Sequence, residues 1–521
     1  VLGEAELTLN DASSLATVEA LVESKQLSSV RLGLDMLTDA EHPTLNEHLI
    51  RLLASDSSEI QREALGRIEK NPFSAALQPV QTLMESEDDA QVIGACIRTL
   101  CALDDDDLLN RVTPYLSDNL SETTIGAIVG LLRYGGISGV LAAGEHLTAL
   151  EKSAEPTERQ IVARIIGEVG VDNFYRPLIP LLQDENTAVR RAALISSSQV
   201  HHPRLLPYVI DNLANPLTRS AAMSALTATG QNLLPIIADA LVDNLAHDEE
   251  DIIRMVRVCG QMKGQQVVNT LKPHIDHPDN DVQLAILQAL QLADYHATNE
   301  EEIAEINKTM RGEVAHALRV LLAKQDLGED AVYEAVHRSL DHEYEEARQR
   351  TFLLLCFIYD TRAILQAEER LMHGSRASQA LALETLDVTL TSEQKQMVFP
   401  LVDSQMTTEQ KIQQLQSVFD LQPLSLIERL TEIIRDPEQE WTNGWTRASV
   451  LYTVGKLKFL DLIDVVEEAL VIEEHPIRET AVWALNALDP QRAQPHLTEL
   501  CRDSNPSVGQ LAAELLSNST F

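Results

Sequence analysis

A unit of about thirty-one residues recurs along most of this 521-residue chain. It is clearest at 177–194, where the apolar block PLIPLLQD is followed, after a short polar gap, by AVRRAAL. The pattern returns at 470–485 and 501–516, where the apolar marker residues Ile477 and Val508 lie 31 positions apart. A fixed period of this size predicts a solenoid, in which each unit packs only against its neighbours.

Each unit predicts two helices of about ten to thirteen residues joined by a short turn, because apolar residues recur at intervals of three and four. The turns are rich in Asp, Asn, Ser and Pro, whose side chains cap the following helix, as at 184–186, 277–280 and 503–506. Sequence signals for β-hairpins are absent. The predicted fold class is therefore all-α: an α-solenoid, or superhelix, of about fifteen to seventeen short helical hairpins.

The repeat predicts one continuous solenoid over 1–521, with two arcs, 1–295 and 296–521, as a variant of that arrangement. The period is least regular at 295–330 and 390–440. The first stretch could hold longer helices or an inserted loop, and the second could hold a bend in the superhelix. These two irregular stretches are where a function added to the repeat is expected.

Charge excludes some classes of partner. The chain has 41 Lys and Arg against 80 Asp and Glu, a net charge of −39. Such a surface repels phosphate backbones and anionic lipid, so we expect no nucleic-acid binding. No segment approaches the roughly twenty apolar residues of a membrane span, so no membrane insertion is expected. The charge favours solubility and a basic partner.

Five cysteines are scattered without the spacing of a zinc site. They predict reduced, buried thiols and a cytosolic protein. Aromatic residues are only 4% of the chain, which suits thin helical layers filled by Leu, Ile, Val and Ala.

Three motifs invite a chemical interpretation, and the repeat offers a structural one for each. The four aspartates at 104–107 lack the spacing of a calcium loop and predict a solvated turn. The histidines at 201–202, with His42 and His48, imply no third or fourth zinc ligand, so we interpret them as turn residues near helix ends. The glycines at 135–139 follow no strand and predict a helix end and a turn, not a phosphate loop.

Arg190 and Arg478 each follow the apolar marker of their unit. They could serve a ligand. The structural alternative is that each pairs with an acid in the preceding turn, such as Asp184 for Arg190, and locks that turn. No residues are predicted to be catalytic, to bind a cofactor or to hold a metal.

The three tryptophans lie in the last fifth of the chain. Trp483 falls in the core register of its helix and is expected to be buried. Trp441 and Trp445 fall in an irregular stretch, and an exposed aromatic patch there would mark a partner surface. We therefore predict Trp441 and Trp445 as contacts to a partner.

The unit resembles HEAT repeats, particularly the short form of about thirty residues found in bilin-lyase-related bacterial proteins. The stretches at 30–37, 351–360, 380–387 and 477–485 are similar to one bacterial arrangement. In it, a HEAT array follows a membrane domain like the ATP/ADP translocases, which are major-facilitator-type carriers, and a cyclic-nucleotide-binding domain often comes after. The start at Val1, without a Met, fits excision from such a protein.

The resemblance implies a cytoplasmic solenoid, at the inner face of the membrane, as part of a longer protein. Together with the repeat it predicts a non-catalytic scaffold or regulatory solenoid that contacts a protein partner or its own fused domains, without a cofactor. Two alternatives are a bilin-lyase-like HEAT enzyme and a regulatory module that senses a small ligand.

Overall fold

The computed structural model describes residues 12–103, 108–116, 120–242, 249–262, 264–437, 440–441 and 443–518. Throughout these ranges the chain is helical and forms no β-strand. Its contacts divide it into two compact units, Val1–Asn232 and Leu233–Phe521. The boundary suggested at 295–296 lies inside the second unit, and the division into arcs stays a prediction.

The α-helices of the first unit are mostly short, and several begin with a single 3-10 turn. In chain order they are α1 (Ala12–Val22), α2 (Leu27–Asp39), α3 (Leu45–Leu52), α4 (Ser58–Lys70), α5 (Leu77–Ser86), α6 (Ala90–Leu103), α7 (Leu108–Val112), α8 (Glu122–Tyr134), α9 (Gly136–Glu151), α10 (Pro156–Val169), α11 (Leu178–Leu182), α12 (Thr187–Ser197), α13 (Leu206–Asp211) and α14 (Arg219–Thr229).

The second unit adds two long helices, α19 and α20, to the same kind of short ones. Its α-helices are α15 (Leu234–Val242), α16 (Glu249–Gln261), α17 (Gln265–Leu271), α18 (Asn280–Leu292), α19 (Glu300–Leu327), α20 (Glu334–Cys356), α21 (Thr361–His373), α22 (Arg376–Thr389), α23 (Ser392–Val402), α24 (Thr408–Gln416), α25 (Leu426–Arg435), α26 (Gly444–Leu457), α27 (Ile463–Glu468), α28 (His475–Leu488), α29 (Pro490–Leu500) and α30 (Pro506–Asn518).

Each odd-numbered helix packs against the even-numbered helix that follows it, which gives fifteen successive hairpins in the ranges that the structure describes. Within the first unit the even helices from α2 to α14 also pack in series, each on the next. The predicted fold class, an all-α array of solenoid-type hairpins, is confirmed.

The apolar marker residues hold the hairpins together. The five clearest markers lie in even helices and are all buried: Ile60, Val189, Val282, Ile477 and Val508. Removing such a side chain from water stabilises the fold by about 1.5–3 kcal/mol. The helical interval of three or four then brings the next core residues onto the same face, as the sequence predicts.

Helices α6 and α8 approach each other at a pair of glycines. A Cβ atom on Gly94 would lie 2.4 Å from the carbonyl oxygen of Glu122. A Cβ on Gly126 would lie 2.4 Å from the carbonyl oxygen of Gly94. These helices therefore cross backbone against backbone, at a distance that only glycine allows.

Two arginines, Arg159 and Arg478, each link a helix to the turn before it and to the next hairpin. Arg478 Nη1 donates to the carbonyls of Ile472 and Glu473, just before α28, at 2.6 and 2.8 Å. Its Nε and Nη2 donate to the carboxylate of Asp503, in the turn of the next hairpin, at 2.8 and 2.9 Å. The Arg478 side chain thus pairs with backbone carbonyls that have no partner within a helix. Its ion pair with Asp503 also joins α28 to the following hairpin.

The predicted pairing of Arg190 with the carboxylate of Asp184 is wrong. Arg190 Nη1 donates instead to the backbone carbonyl of Asp184, at 2.6 Å. The carboxylate binds Arg159, one hairpin earlier, at 2.6 and 3.0 Å. Because the guanidinium reaches forward along the array, the ion pair joins neighbouring hairpins and does not lock a single turn.

The second unit contains a four-helix insertion, α21 to α24, between two hairpins that are neighbours in space. Helix α26 packs directly on α20, and α25 packs on α19. Helices α23 and α24 fold back onto α19, which is 28 residues long. Of the two alternatives left open for 295–330, longer helices or an inserted loop, the structure shows a long helix there, α19, and the insertion explains the loss of period at 390–440. The bend suggested there stays a prediction.

Buried polar contacts close this insertion. Arg429 Nε on α25 donates to Asp326 Oδ2 on α19 at 2.8 Å, and both side chains are 3% exposed. The amide of Gln394, at the start of α23, accepts from Tyr359 Oη at 2.6 Å and donates to Asn307 Oδ1 at 2.9 Å. The chain is thereby tied on both sides of the insertion.

Candidate functional site

The predicted turn motifs have structural roles. Helix α8 ends at Tyr134, and Gly136, with a φ of +58°, begins α9, as predicted for a helix end and turn. The ring of His202 stacks on Tyr175 with centroids 3.7 Å apart and accepts from the amide of Arg204 at 3.2 Å. The aspartates at 104–107 lie outside the described residues.

The other two histidines singled out in the sequence are His42, between α2 and α3, and His48, on α3. His48 is buried, with its Nε2 3.9 Å from Glu19 Oε1, and His42 Nδ1 lies 2.8 Å from Thr44 Oγ1. In the part of the chain that the structure describes, no three His, Cys, Asp or Glu side chains are grouped so that they could hold a metal ion.

Four of the five cysteines are buried as expected, and Cys501 is exposed. Burial raises the pKa of the thiols of Cys96, Cys101, Cys259 and Cys356 to about 12. These four groups are therefore protonated and unreactive at neutral pH.

Trp441 does not form a partner surface in this structure, because it is 0% exposed. Its ring packs in the core of the second unit with the edge of His316, at a centroid distance of 5.8 Å. Two amide hydrogen bonds to Asp436 Oδ1, from Glu440 and Trp441, hold the loop that turns the ring inward. The prediction is corrected for Trp441.

Trp445 lies at the start of α26 and is 66% exposed. Tyr452 follows seven residues later, which is two helical turns, so both rings lie on one face about 10 Å apart along the axis. Tyr452 is 42% exposed and stacks on Trp483 of α28 with centroids 4.9 Å apart. Against the prediction, Trp483 is only partly buried.

We define the aromatic row as Trp445, Tyr452 and Trp483, and the repeat accounts for two of its members. Tyr452 and Trp483 are 31 residues apart, so they occupy the same position in successive hairpins. Gly455 leaves room for the second ring, since a Cβ there would lie 2.8 Å from Cζ3 of Trp483. Tyr452 was missed in the sequence, although its offset of one period from Trp483 was a usable signal.

The corresponding helices of the first unit carry an ionic network. It consists of three arginines and three glutamates on α4, α6, α8 and α10: Arg98, Arg133, Arg164, Glu69, Glu122 and Glu168. Arg164 donates to both oxygens of Glu122 at 2.7 Å. Glu69 accepts from Arg133 at 2.9 Å, and Glu168 accepts from Arg98 at 2.8 Å. They line a polar cavity of about 310 Å³ in which the opposite charges satisfy one another.

A second polar cavity, of about 320 Å³, lies in the second unit between the turn before α18 and the middle of α19. Gln283, Glu313 and His316 line it, and all three are largely buried. Glu313 accepts from Arg350 Nε at 2.7 Å, and His316 Nε2 lies 3.0 Å from Glu343 Oε2. The walls of this cavity therefore carry hydrogen-bonding groups on largely buried side chains.

Among the described residues, one stretch of 24 residues, Arg219–Val242, is long and apolar enough to cross a membrane: a window of 18 residues within it has mean hydropathy 1.2, and 39% of that window is buried. It corrects the expectation that no segment approaches that length. In the structure α14 ends at Thr229, Gly230 has a φ of +61°, and α15 begins at Leu234. Core helices of soluble proteins pass the same test.

The sequence profile of HEAT repeats matches this chain at 145–227 and 427–517. No curated protein sequence matches it. Among solved structures, importin beta has a TM-score of 0.31 at 11% identity, over 98% of this chain and 81% of the other. A homology model of the full-length AP-3 complex has 0.29 at 12%, over 94% of each chain.

A further structure, Kap121p bound to Ste12p, has a TM-score of 0.24 at 11% identity. The match covers 98% of this chain, which spans 56% of the Kap121p chain. The two profile matches assign HEAT repeats to 145–227 and 427–517, and the second of these ranges carries the aromatic row.

Proposed function

We propose that this protein is a non-catalytic scaffold that binds a protein partner through the aromatic row. The observation that carries the proposal is the exposure of Trp445 and Tyr452 in a chain with only 4% aromatic residues. Aromatic side chains dominate the energetics of protein interfaces, and contiguous exposed ones mark contact sites. The repeat supplies the rigid support on which such a surface is presented.

Photo-crosslinking in the native cell tests this function. A photoreactive phenylalanine analogue replaces Trp445 in the full chain, and a matched control replaces Ile137, which is 83% exposed in the first unit. We expect a discrete crosslinked protein from position 445 that position 137 does not give. Crosslinks of equal pattern and yield from both positions would show that the row is ordinary surface.

We further propose that the scaffold is the cytoplasmic HEAT region of a larger transporter-like membrane protein, working at the inner face of the membrane. The resemblance at 30–37, 351–360, 380–387 and 477–485 supports this context. The partner would then be a fused carrier-like or cyclic-nucleotide-binding domain. The full reading frame tests it: flanking transmembrane helices are expected, and a frame without them contradicts the proposal.

The cavity beside α19 favours a second candidate, a regulatory module that senses a small ligand. Gln283 and His316 are buried polar side chains that line it. A ligand that binds only the folded protein raises the melting temperature. A thermal-shift screen with nucleotides should show such a rise, lost in Gln283→Leu; no rise with any nucleotide counts against nucleotide sensing.

A bilin-lyase-like activity has less support. A tetrapyrrole needs a deep pocket with aromatic walls, whereas the cavities described above are lined by charged and polar side chains. Incubation with a bilin is expected to leave its absorption spectrum unchanged, and a spectral shift would revive this alternative.

A further inference from the structure

Positions 31 residues apart recur on three successive even-numbered helices, α26, α28 and α30, and they continue the aromatic row beyond α28. One line of equivalent positions holds Tyr452, Trp483 and Glu514. Neighbouring helices in such a stack are about 8–10 Å apart. The exposed carboxylate of Glu514 therefore continues the line of the two stacked rings onto the next helix.

Two other carboxylates lie on α28, the helix that carries Trp483, or at its start. Glu479 lies one helical turn before Trp483 on the same face of α28. Glu474 occupies the N-cap position of α28 and is exposed, with Oε2 3.5 Å from Arg447 Nη1. These charges belong to a chain whose net charge is −39. An aromatic platform edged by carboxylates is complementary to a cation, because ring faces and carboxylates both attract positive charge.

The protein already places one cation there. Lys456 Nζ lies 5.5 Å from the centroid of the Tyr452 ring, within the range of a cation–π contact. The ring of Trp445, two turns earlier on the same helix, is the most exposed of the row. An external Lys or Arg can therefore make with Trp445 the same kind of cation–π contact that Lys456 makes with Tyr452.

We propose that the aromatic row and its acidic border bind a basic segment of a partner protein in extended conformation. One of its Arg or Lys side chains lies over Trp445, and others lie beside Glu479 and Glu514; Tyr452, which already holds Lys456, contributes its exposed edge to the contact. This inference rests on the proposed scaffold function and adds the chemistry of the partner.

The spacing of the basic residues follows from the geometry. Trp445 and Tyr452 are about 10 Å apart along α26, and α26 and α28 are separated by a similar distance. An extended polyproline-type segment advances about 3.1 Å per residue, so three residues span about 9 Å. A partner with a basic residue at every third position therefore matches steps of this size, from Trp445 along α26 or across from α26 to α28 and on to α30.

The test is a titration of the full chain with fluorescent twelve-residue peptides. One carries Arg at every third position, a second has Glu in place of Arg, and a third has its four Arg in a block. We expect saturable binding of the first, weaker binding of the third and none of the second. Binding should weaken as salt rises from 50 to 200 mM, because part of the attraction is between exposed charges.

Variants locate the site. A cation–π contact is worth about 0.5–2 kcal/mol, so Trp445→Ala, which removes the ring proposed to hold the cation, should weaken binding by about twofold to thirtyfold. The double change Glu479→Gln with Glu514→Gln should weaken binding and flatten the salt dependence. Val471→Ala, at an 86% exposed apolar residue outside the row, should leave the affinity unchanged.

Three results would overturn the inference: equal binding of the Glu peptide, unchanged affinity in Trp445→Ala combined with Tyr452→Ala, or concentration-dependent dimerisation that Trp445→Ala abolishes. The last would make a second copy of this chain the occupant. A crosslinked partner at position 445 whose contacting segment is apolar or acidic would keep the scaffold function and refute only this inference.

Discussion

Two sets of hairpins in this protein share one framework and differ in what they present to solvent. On α4 to α10, arginines and glutamates bind one another, as Arg164 does with Glu122. On α26 and α28, the same kind of helix presents Trp445, Tyr452 and Trp483. The ionic network satisfies its charges within the first unit, whereas most of Trp445 faces solvent.

The shared framework shows which positions the fold needs. Arg159 and Arg478 lie in different units, yet each donates to carbonyls at the preceding turn and to an Asp 25 residues further on. Apolar markers such as Val189 and Ile477 are buried in both units. The aromatic row of the last hairpins lies at positions outside this framework.

The largest expected effect concerns the insertion that brings α26 next to α20. Asp326→Ala leaves the buried guanidinium of Arg429 with Glu432 as its one remaining carboxylate partner, which should cost about 3 kcal/mol of unfolding free energy, the lower end of the range for breaking a buried ion pair. Hydrogen exchange should accelerate in α25 and α26 and stay unchanged in α4 to α10.

The double variant Asp326→Leu with Arg429→Leu is the control, since replacing both charges by apolar groups is often neutral. If Asp326→Ala accelerated hydrogen exchange equally in α4 to α10 and in α25 and α26, the two sets of hairpins would not differ in how much their stability depends on this ion pair.

The next effect is on the first set of hairpins. Gly94→Ala would force a Cβ to within 2.4 Å of a backbone oxygen, and such overpacking costs about 1–3 kcal/mol. Gly144→Ala, in α9 with no atom within 4 Å of the new Cβ, should instead stabilise by about 0.5–1 kcal/mol. Chemical denaturation measures both; a stabilising Gly94→Ala would refute the backbone-to-backbone crossing.

An effect of similar size tests the shared arginine. Arg478→Ala removes hydrogen bonds to Ile472, Glu473 and Asp503, and we expect a loss of about 1.5–3 kcal/mol. Arg478→Gln should recover part of it, because Gln283 reaches the carbonyl of Ile275 at 3.2 Å in its own hairpin. If Gln is no better than Ala, the carbonyl contacts contribute little.

The smallest effect is on acid stability. Hydrogen bonds from Arg478 hold the pKa of Asp503 below its ordinary value, and Arg159 does the same for Asp184. A carboxyl with a lowered folded-state pKa stabilises the fold above its unfolded pKa of about 3.9, and this is lost as the pH falls through the folded pKa. Stability of Arg478→Gln should therefore fall less steeply with acid than that of the wild type.

The framework could be predicted from the sequence because it repeats. The period locates the buried markers and polar turns, and both are where the sequence places them. The direction of the arginine pairs could not be predicted, because Asp184 is near Arg190 in sequence and near Arg159 only in the fold.

For the candidate site, the sequence predicted the exposed Trp445 but not the burial of Trp441. Trp445 and Trp441 lie four residues apart in an irregular stretch, and sequence alone does not show that Asp436 turns Trp441 into the core. The insertion of α21 to α24 was visible only as a loss of period, since the contacts of α25 with α19 join residues far apart in sequence.

The central claim is that the residues that hold the hairpins together and the residues that bind a partner are different residues. The most direct test is the affinity of Trp445→Ala for the basic peptide, measured on fully folded protein. The account predicts an affinity lowered by about twofold to thirtyfold with the unfolding free energy within about 0.5 kcal/mol of wild type. Unchanged affinity, or a weakening that only matches a loss of folded protein, would contradict it.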